Sequence, residues 1–286
     1  MYFLAKDIRM AGYMGCNRIS RITPNIIAKN PPMPPLFDAS AVISGYDSGT
    51  WPASFPSKPT KYVAGTDAIL VRYASPSSVS LIQNMPVDTA EIQVGSNPSN
   101  YQVGDLLLIT DCSRADIFRA TDVSKGVSKG AGEIFTIDHG PTRNTSSRLR
   151  TAYKTGSQVM AFEYSLYYIG TTVTGVDALY RVNATSGGGS PEELVDNVQN
   201  MQLLYGLDTD GNGSANEYRT ATQVDGIANG WQQVVSVRVS LLLASQENFL
   251  TQVRQELRFN NTTFKAPDKR MYAAFGDTVT LRNQTD

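Results

Sequence analysis

The sequence contains one histidine and two cysteines in 286 residues. A single imidazole excludes most metal hydrolases and every mechanism that needs a pair. Neither sign of charge is in excess: 25 Lys and Arg face 26 Asp and Glu, for a formal charge of −1. No run of Lys and Arg interrupts that balance, so the clustered basic surface needed to hold nucleic acid or an anionic membrane is missing. Long apolar runs are missing too. The most conspicuous, Leu241-Leu242-Leu243-Ala244, falls far short of the roughly 18 residues that a membrane-spanning helix needs. No signal peptide shows, because Met1 leads straight into Tyr2-Phe3-Leu4-Ala5-Lys6-Asp7 without a basic stretch or a cleavage site. Such a start reads as the middle of a helix and implies a piece cut from a longer chain. What is present suits a globular protein. Apolar residues make up 41% and charged residues 18%, enough for a sizeable core in one large domain or two small ones.

From Met1 to about Met14 the spacing is helical, with Met1, Leu4, Ile8 and Ala11 on one face and Lys6, Asp7 and Arg9 off it. Gly12 and Gly15 weaken the helix and predict its end near residue 15. Residues 16–60 then carry more than half of the 14 prolines. Proline cannot donate to a ladder and restricts the residue before it, which predicts a long irregular excursion. Strands follow. Asp67–Tyr73 and Asp105–Thr110 are short apolar runs between turn residues, with weaker candidates at Glu91–Val94, Ala115–Ala120 and Glu133–Ile137. Val159–Ile169 alternates, and Ala178–Val182 follows across a turn, which predicts a hairpin. Met201–Leu207, Gln233–Ala244 and Thr278–Arg282 complete the predicted strands. Between them, Ser190-Pro191-Glu192-Glu193 has the form of a helix start and predicts a short helix over 190–200. The sum predicts an α+β fold.

Few residues form a chemical motif. His139 sits in Ile137-Asp138-His139-Gly140-Pro141 and reads as a turn residue after a strand, since no second imidazole or nucleophile accompanies it. Asp47-Ser48-Gly49 lacks the strand-turn-helix setting of a nucleophile elbow, and Ser128-Lys129-Gly130-Ala131-Gly132 has its lysine on the wrong side for a phosphate loop. No acid, base and nucleophile set can be assembled, so an enzyme is the least expected class. Cys16 and Cys112 are not in a redox or zinc spacing. They are either two inert thiols or one disulfide tying the helix to the strand that ends at Thr110, and the bridge is the preferred reading. Asp208-Thr209-Asp210-Gly211-Asn212-Gly213-Ser214-Ala215-Asn216-Glu217 matches the first half of a calcium loop. Asp208, Asp210, Asn212, Ser214, Asn216 and Glu217 are the candidate ligands. Arg219 stands where the closing glutamate belongs, and a plain Asp/Asn/Gly turn explains the same residues.

Several phrases together resemble the PilW-like minor pilins of type IV pili, relatives of the J-type minor pseudopilin of type II secretion. They are Leu4-Ala5-Lys6-Asp7-Ile8-Arg9-Met10-Ala11-Gly12-Tyr13-Met14-Gly15-Cys16, Asp111-Cys112-Ser113-Arg114-Ala115-Asp116-Ile117-Phe118, Tyr167-Tyr168-Ile169-Gly170 with Leu179-Tyr180-Arg181-Val182, Val198–Asp208, Trp231–Leu243 and Arg270–Asn283. The basic leader and long apolar helix of a type IV pilin are not in the sequence. The resemblance implies that they were removed, leaving residues 1–15 as the distal part of the pilin helix and 16–286 as its head. It implies a truncated N-terminal helix packed on a mostly antiparallel sheet, with the proline-rich segment as an excursion. It also implies a subunit held in the inner membrane through the missing helix, with its head in the periplasm, and then built into an extracellular pilus serving adhesion and twitching motility. An oxidising periplasm supports the Cys16–Cys112 bridge.

The role implied is to initiate assembly and sit at or near the tip, contacting other minor pilins, a major pilin and a large tip adhesin. Met1, Leu4 and Ile8 on the helix and Tyr46 and Trp51 in the excursion are the expected interface residues. The alternatives are a type II secretion pseudopilin and a calcium-stabilised surface binding module or adhesin.

Overall fold

The computed structural model describes residues 1–16, 22–29, 42–48, 50, 61–128, 132–183, 185 and 190–284. In chain order the elements are α1 (Tyr2–Met10), β1 (Asn25–Ile26), β2 (Ile43–Tyr46), β3 (Ala68–Ser80), β4 (Ile92–Val94), β5 (Leu106–Thr110), β6 (Ala115–Arg119), β7 (Asp122–Ser128) and β8 (Gly132–Asp138). They continue with β9 (Gln158–Thr171), β10 (Asp177–Asn183), β11 (Glu192–Asp196), β12 (Val198–Leu207), β13 (Glu217–Arg219), α2 (Ala221–Asp225), β14 (Val234–Ala244), β15 (Glu256–Phe259), β16 (Thr262–Lys265) and β17 (Tyr272–Thr280).

Strands take up 47% of the described residues and helix 7%, in several sheets. This overturns the expected α+β class: the chain is mostly β and does not look like a pilin with a long helix packed on a sheet. The helix is short because Ala11 already leaves helical geometry and Gly12 turns left-handed at φ 76°. From there the backbone hooks onto β3, with Gly12 N donating to Arg72 O and Ala74 N to Tyr13 O. The helix expected over 190–200 is likewise corrected. Glu192–Asp196 is strand β11, paired antiparallel with β10. Glu192 and Glu193 serve cross-strand partners instead of a helix start: Glu192 takes an ion pair from Arg181 at 2.7 Å, and Glu193 a hydrogen bond from the Tyr180 hydroxyl at 3.2 Å.

The larger sheet runs β1-β6-β5-β9-β10-β11, with β3 also on β9 and β2 on β3. The fourteen-residue β9 is its centre, buried on both faces. Strand β3 continues past the predicted Tyr73 to Ser80. Its register shifts between Ala74 and Ser78 around Pro76, since proline has no N–H for the ladder and is accommodated at a bulge. A second sheet runs β13-β12-β14-β17, and β4-β8-β7 and β15-β16 form smaller ones. One apolar core joins α1, the larger sheet and the second sheet through Leu4, Ile8, Val71, Tyr167, Tyr205, Val237 and Val279, among others. Tyr205 reaches β2, where a Cβ on Gly45 would overlap its ring and hydroxyl. The opposite face of the larger sheet packs on β4-β8-β7 through Phe118, Ile92 and Ile137.

The predicted 16–60 excursion contains β1 and β2, and residues 30–41, 49 and 51–60 lie outside the described residues. Among the described residues, no helix is long and apolar enough to cross a membrane.

Candidate functional site

Helix α1 is the best-fixed of the features singled out in the sequence. Leu4 and Ile8 are fully buried, each contributing roughly 1.5–3 kcal/mol of hydrophobic stabilisation. Their apolar surface is therefore used inside this chain and is not free for a partner. Met1 is half-buried at the end of the helix, and Tyr2 and Phe3 are exposed beside it. Asp7 was placed off the packed face, and the structure corrects this: it is only 4% exposed. The Tyr73 hydroxyl of β3 donates to Asp7 Oδ1 at 2.8 Å and the Tyr167 hydroxyl of β9 to Oδ2 at 2.5 Å. Burial, and then the Asp7 charge, push both hydroxyls far above the ordinary tyrosine range. Apolar packing is non-directional, whereas two hydrogen bonds from two strands to one carboxylate fix the rotation of the helix on the sheet. A sequence signal for this existed: Asp7 follows Leu4 by three and precedes Ala11 by four, the spacing of the buried face.

Cys16 and Cys112 form a disulfide with Cα atoms 5.5 Å apart. The bridge fastens the segment after α1 to the β5–β6 turn. Cys112 has φ 69° there, and Asp111 Oδ1 accepts from the N–H groups of Ser113 and Arg114 at 2.9 and 2.7 Å. Helix and sheet are thus joined twice, by the bridge at one end of the segment and by Asp7 within the helix.

The 208–217 loop joins β12 to β13. Asp208 Oδ1 accepts from Gly211 N at 2.8 Å and Asn212 N at 3.1 Å, and Oδ2 accepts from Gly213 N at 2.7 Å. Desolvation opposes ionisation here, yet these donors hold the Asp208 carboxyl below its ordinary range. Asp210 Oδ2 accepts from the side-chain amides of Asn212 and Asn216, Ser214 N donates to Asn212 Oδ1, and Glu217 pairs with Arg219 at 2.6 Å. The candidate ligands are brought into one loop, but their oxygens serve the loop itself and the closing acid is engaged elsewhere. Among the described residues no group of three His, Cys, Asp or Glu is arranged to hold a metal. The set as it stands fits a hydrogen-bonded turn better than a complete calcium cage.

Tyr46 is not in an irregular excursion, and it is half-buried, not exposed. It lies on β2 against a tyrosine-rich cluster with Tyr62, Tyr164, Tyr168 and Tyr180. Trp51 lies outside the described residues. His139 follows β8 as expected and is fully buried, with Nε2 2.9 Å from Ala90 O and its ring edge-on to Phe118.

Next to Tyr46 lies a pair of acids, Asp47 of the Asp47-Ser48-Gly49 segment and Asp67 at the head of β3. Asp47 accepts from Ala221 N and Thr222 N at 2.9 and 2.8 Å, capping α2 from a distant strand. The capping box of that helix, Thr220 with Gln223, was legible in the sequence but not used. Asp67 accepts from Leu203 N at 2.8 Å and Ser48 N at 3.1 Å. Burial pushes its carboxyl up to about 6, against the pull of the Leu203 N–H and with help from the Asp47 charge.

In a comparison with known families, residues 166–283 match the family described as PilW, Type IV Pilus-assembly protein W. The matched region holds the second half of β9, the β9–β10 hairpin, β11 and the whole second sheet. No curated protein and no solved structure matches the chain. The family match supports a role in type IV pilus assembly and fits the envelope of a Gram-negative bacterium.

Proposed function

We propose that this chain is a minor pilin that takes part in starting a type IV pilus and sits at or near its tip. Its partners would be other minor pilins, a major pilin and a large tip adhesin. The head would face the periplasm from the inner membrane before assembly and lie outside the cell afterwards. The observation that carries this reading is the PilW match over residues 166–283. The clamped helix supports it: a subunit that transmits orientation from a stalk to a head needs the joint between them to be stiff, and Asp7 with the Cys16–Cys112 bridge makes it so. The reading assigns the chain no catalytic step.

Two experiments test it. The chain should co-purify with minor-pilin siblings, and a strain lacking it should assemble few or no pili. Normal piliation with impaired protein secretion would replace this reading with the type II pseudopilin. A calcium-stabilised surface module is the reading from another class, and the 208–217 loop decides it.

A further inference from the structure

Strand edges present unpaired backbone groups, and proteins ordinarily shorten them or place charge on them. Most edges here follow that rule. β1, β4 and β13 are two or three residues long. β11 carries Glu192, Glu193 and Asp196, and β7 carries Asp122 and Lys125. β17 does not follow it. It is nine residues long, pairs among the described residues with β14 alone, and reads Tyr-Ala-Ala-Phe-Gly before its first charge at Asp277.

The direction of its backbone groups follows from the ends of the ladder. Ser245 N donates to Met271 O and Leu281 N to Val235 O, so odd-numbered residues face β14. Even-numbered residues face the other way. At Tyr272 that outer side is already occupied: the Gln255 side-chain amide accepts from Tyr272 N at 2.6 Å and donates to its O at 3.4 Å. A side chain there imitates a neighbouring strand. Beyond it, the outward groups of Ala274 and Gly276 and the Thr278 carbonyl have no backbone partner among the described residues, while Thr278 N donates to Asp277 Oδ1 at 2.9 Å.

The two faces beside this edge differ in chemistry. On the core side, Phe275 is 53% exposed and lines a mostly apolar groove of about 410 Å³ with Met1, Val195, Leu241 and Leu243, and Asp277 is also in its lining. On the other side, Ala274 and Gly276 share a pocket of mixed polarity with Arg238, Arg258, Asn260 and Phe259. Among the described residues neither arginine has a carboxylate partner. Arg238 lies over the Tyr218 ring, and the Asn260-Asn261 turn, with both φ positive, holds the hairpin that carries Arg258.

We propose that the β17 edge from Ala274 to Thr278 is a docking site for an extended segment of another protein, apolar and acidic at alternate positions. Its backbone would extend the second sheet by one strand. Its apolar side chains would enter the groove beside Phe275, and its acidic ones would meet Arg238 and Arg258. A second copy of β17 fits less well, because its own alternate positions Ala274, Gly276 and Thr278 carry no acid. The inference rests on the assembly reading only in taking the occupant to be a protein. Its test does not involve pili, so either can fail without the other.

The test uses the full chain and a capped synthetic peptide of alternating valine and glutamate, with an alternating valine and lysine peptide beside it. The valine–glutamate peptide should slow amide exchange at Ala274 and Gly276 and bind at least about tenfold more tightly than the lysine peptide. Gly276→Pro removes one outward N–H without touching the β14 ladder and should abolish binding. Ala274→Lys, which leaves the backbone intact, should weaken it too. Arg238→Glu with Arg258→Glu should reverse the preference between peptides. No protection at the two amides, equal binding of the two peptides, or binding unchanged in both edge variants would overturn the proposal. So would dimerisation of the chain alone that Gly276→Pro abolishes, since the occupant would then be a second copy.

Discussion

Two buried acids carry opposite consequences. Asp7 is held by two hydroxyls, and Asp7→Ala leaves both unpaired in the core. It should cost roughly 2–4 kcal/mol in urea unfolding, with Tyr167→Phe costing less. An unchanged midpoint for Asp7→Ala would show that the clamp contributes nothing. Asp67 titrates at about 6 in the folded chain against 3.8 for an ordinary aspartate. The unfolded chain therefore gives up that proton first, and stability is lost as pH rises from about 4 through 6. Asp67→Asn cannot ionise. Relative to it, the wild type should lose on the order of 1–3 kcal/mol between pH 4 and 7.5, read from denaturation curves at several pH values. Parallel pH profiles would reject this. At this scale the sequence was only partly legible. Cys16 and Cys112 are far apart in sequence and still pair, yet the burial of Asp67 depends on β2 and β12 meeting across the core, which no local pattern announces.

Elements with their own alternation were legible: β9, β12 and β14 fall close to where apolar residues at every second position place them. The errors have identifiable causes. Ser190-Pro191-Glu192-Glu193 has the residues of a helix start, but cross-strand partners on β10 outweigh a local capping preference. β17 begins at Tyr272, six residues before the predicted start, because its exposed Ala-Ala-Phe-Gly run shows no alternation. The 208–217 segment reads in sequence as either a calcium loop or a plain turn, and its donors make a prediction at this scale. Asp208→Ala should lower the melting temperature even in chelator, since three backbone N–H groups lose their acceptor. If the loop also takes calcium, the ion should raise the wild-type melting temperature and Asp210→Ala should lose that rise. A wild type indifferent to calcium leaves the loop as a turn alone.

Seen as a whole, the described residues form two larger β-sheets packed with a short helix and two smaller sheets beside them, and neither the α+β class nor the pilin-like fold implied by the resemblance describes that arrangement. Counting elements from local pattern gave too much helix. Tertiary pairing turned residues 192–196 into an edge strand and added β7, β15 and β16. The bridge between Cys16 and Cys112 closes a loop of 96 residues, worth on the order of 4 kcal/mol in the chain-entropy description. Replacing both cysteines by serine should lower the unfolding midpoint accordingly, and reductant should then have no further effect. An equal midpoint for the two chains would remove the bridge from the account of stability. The same covalent link has a consequence for degradation. A protease that cuts anywhere between residues 17 and 111 separates nothing: the fragments stay fastened through sulfur, and the nicked chain migrates at full length until a thiol is added to the gel sample.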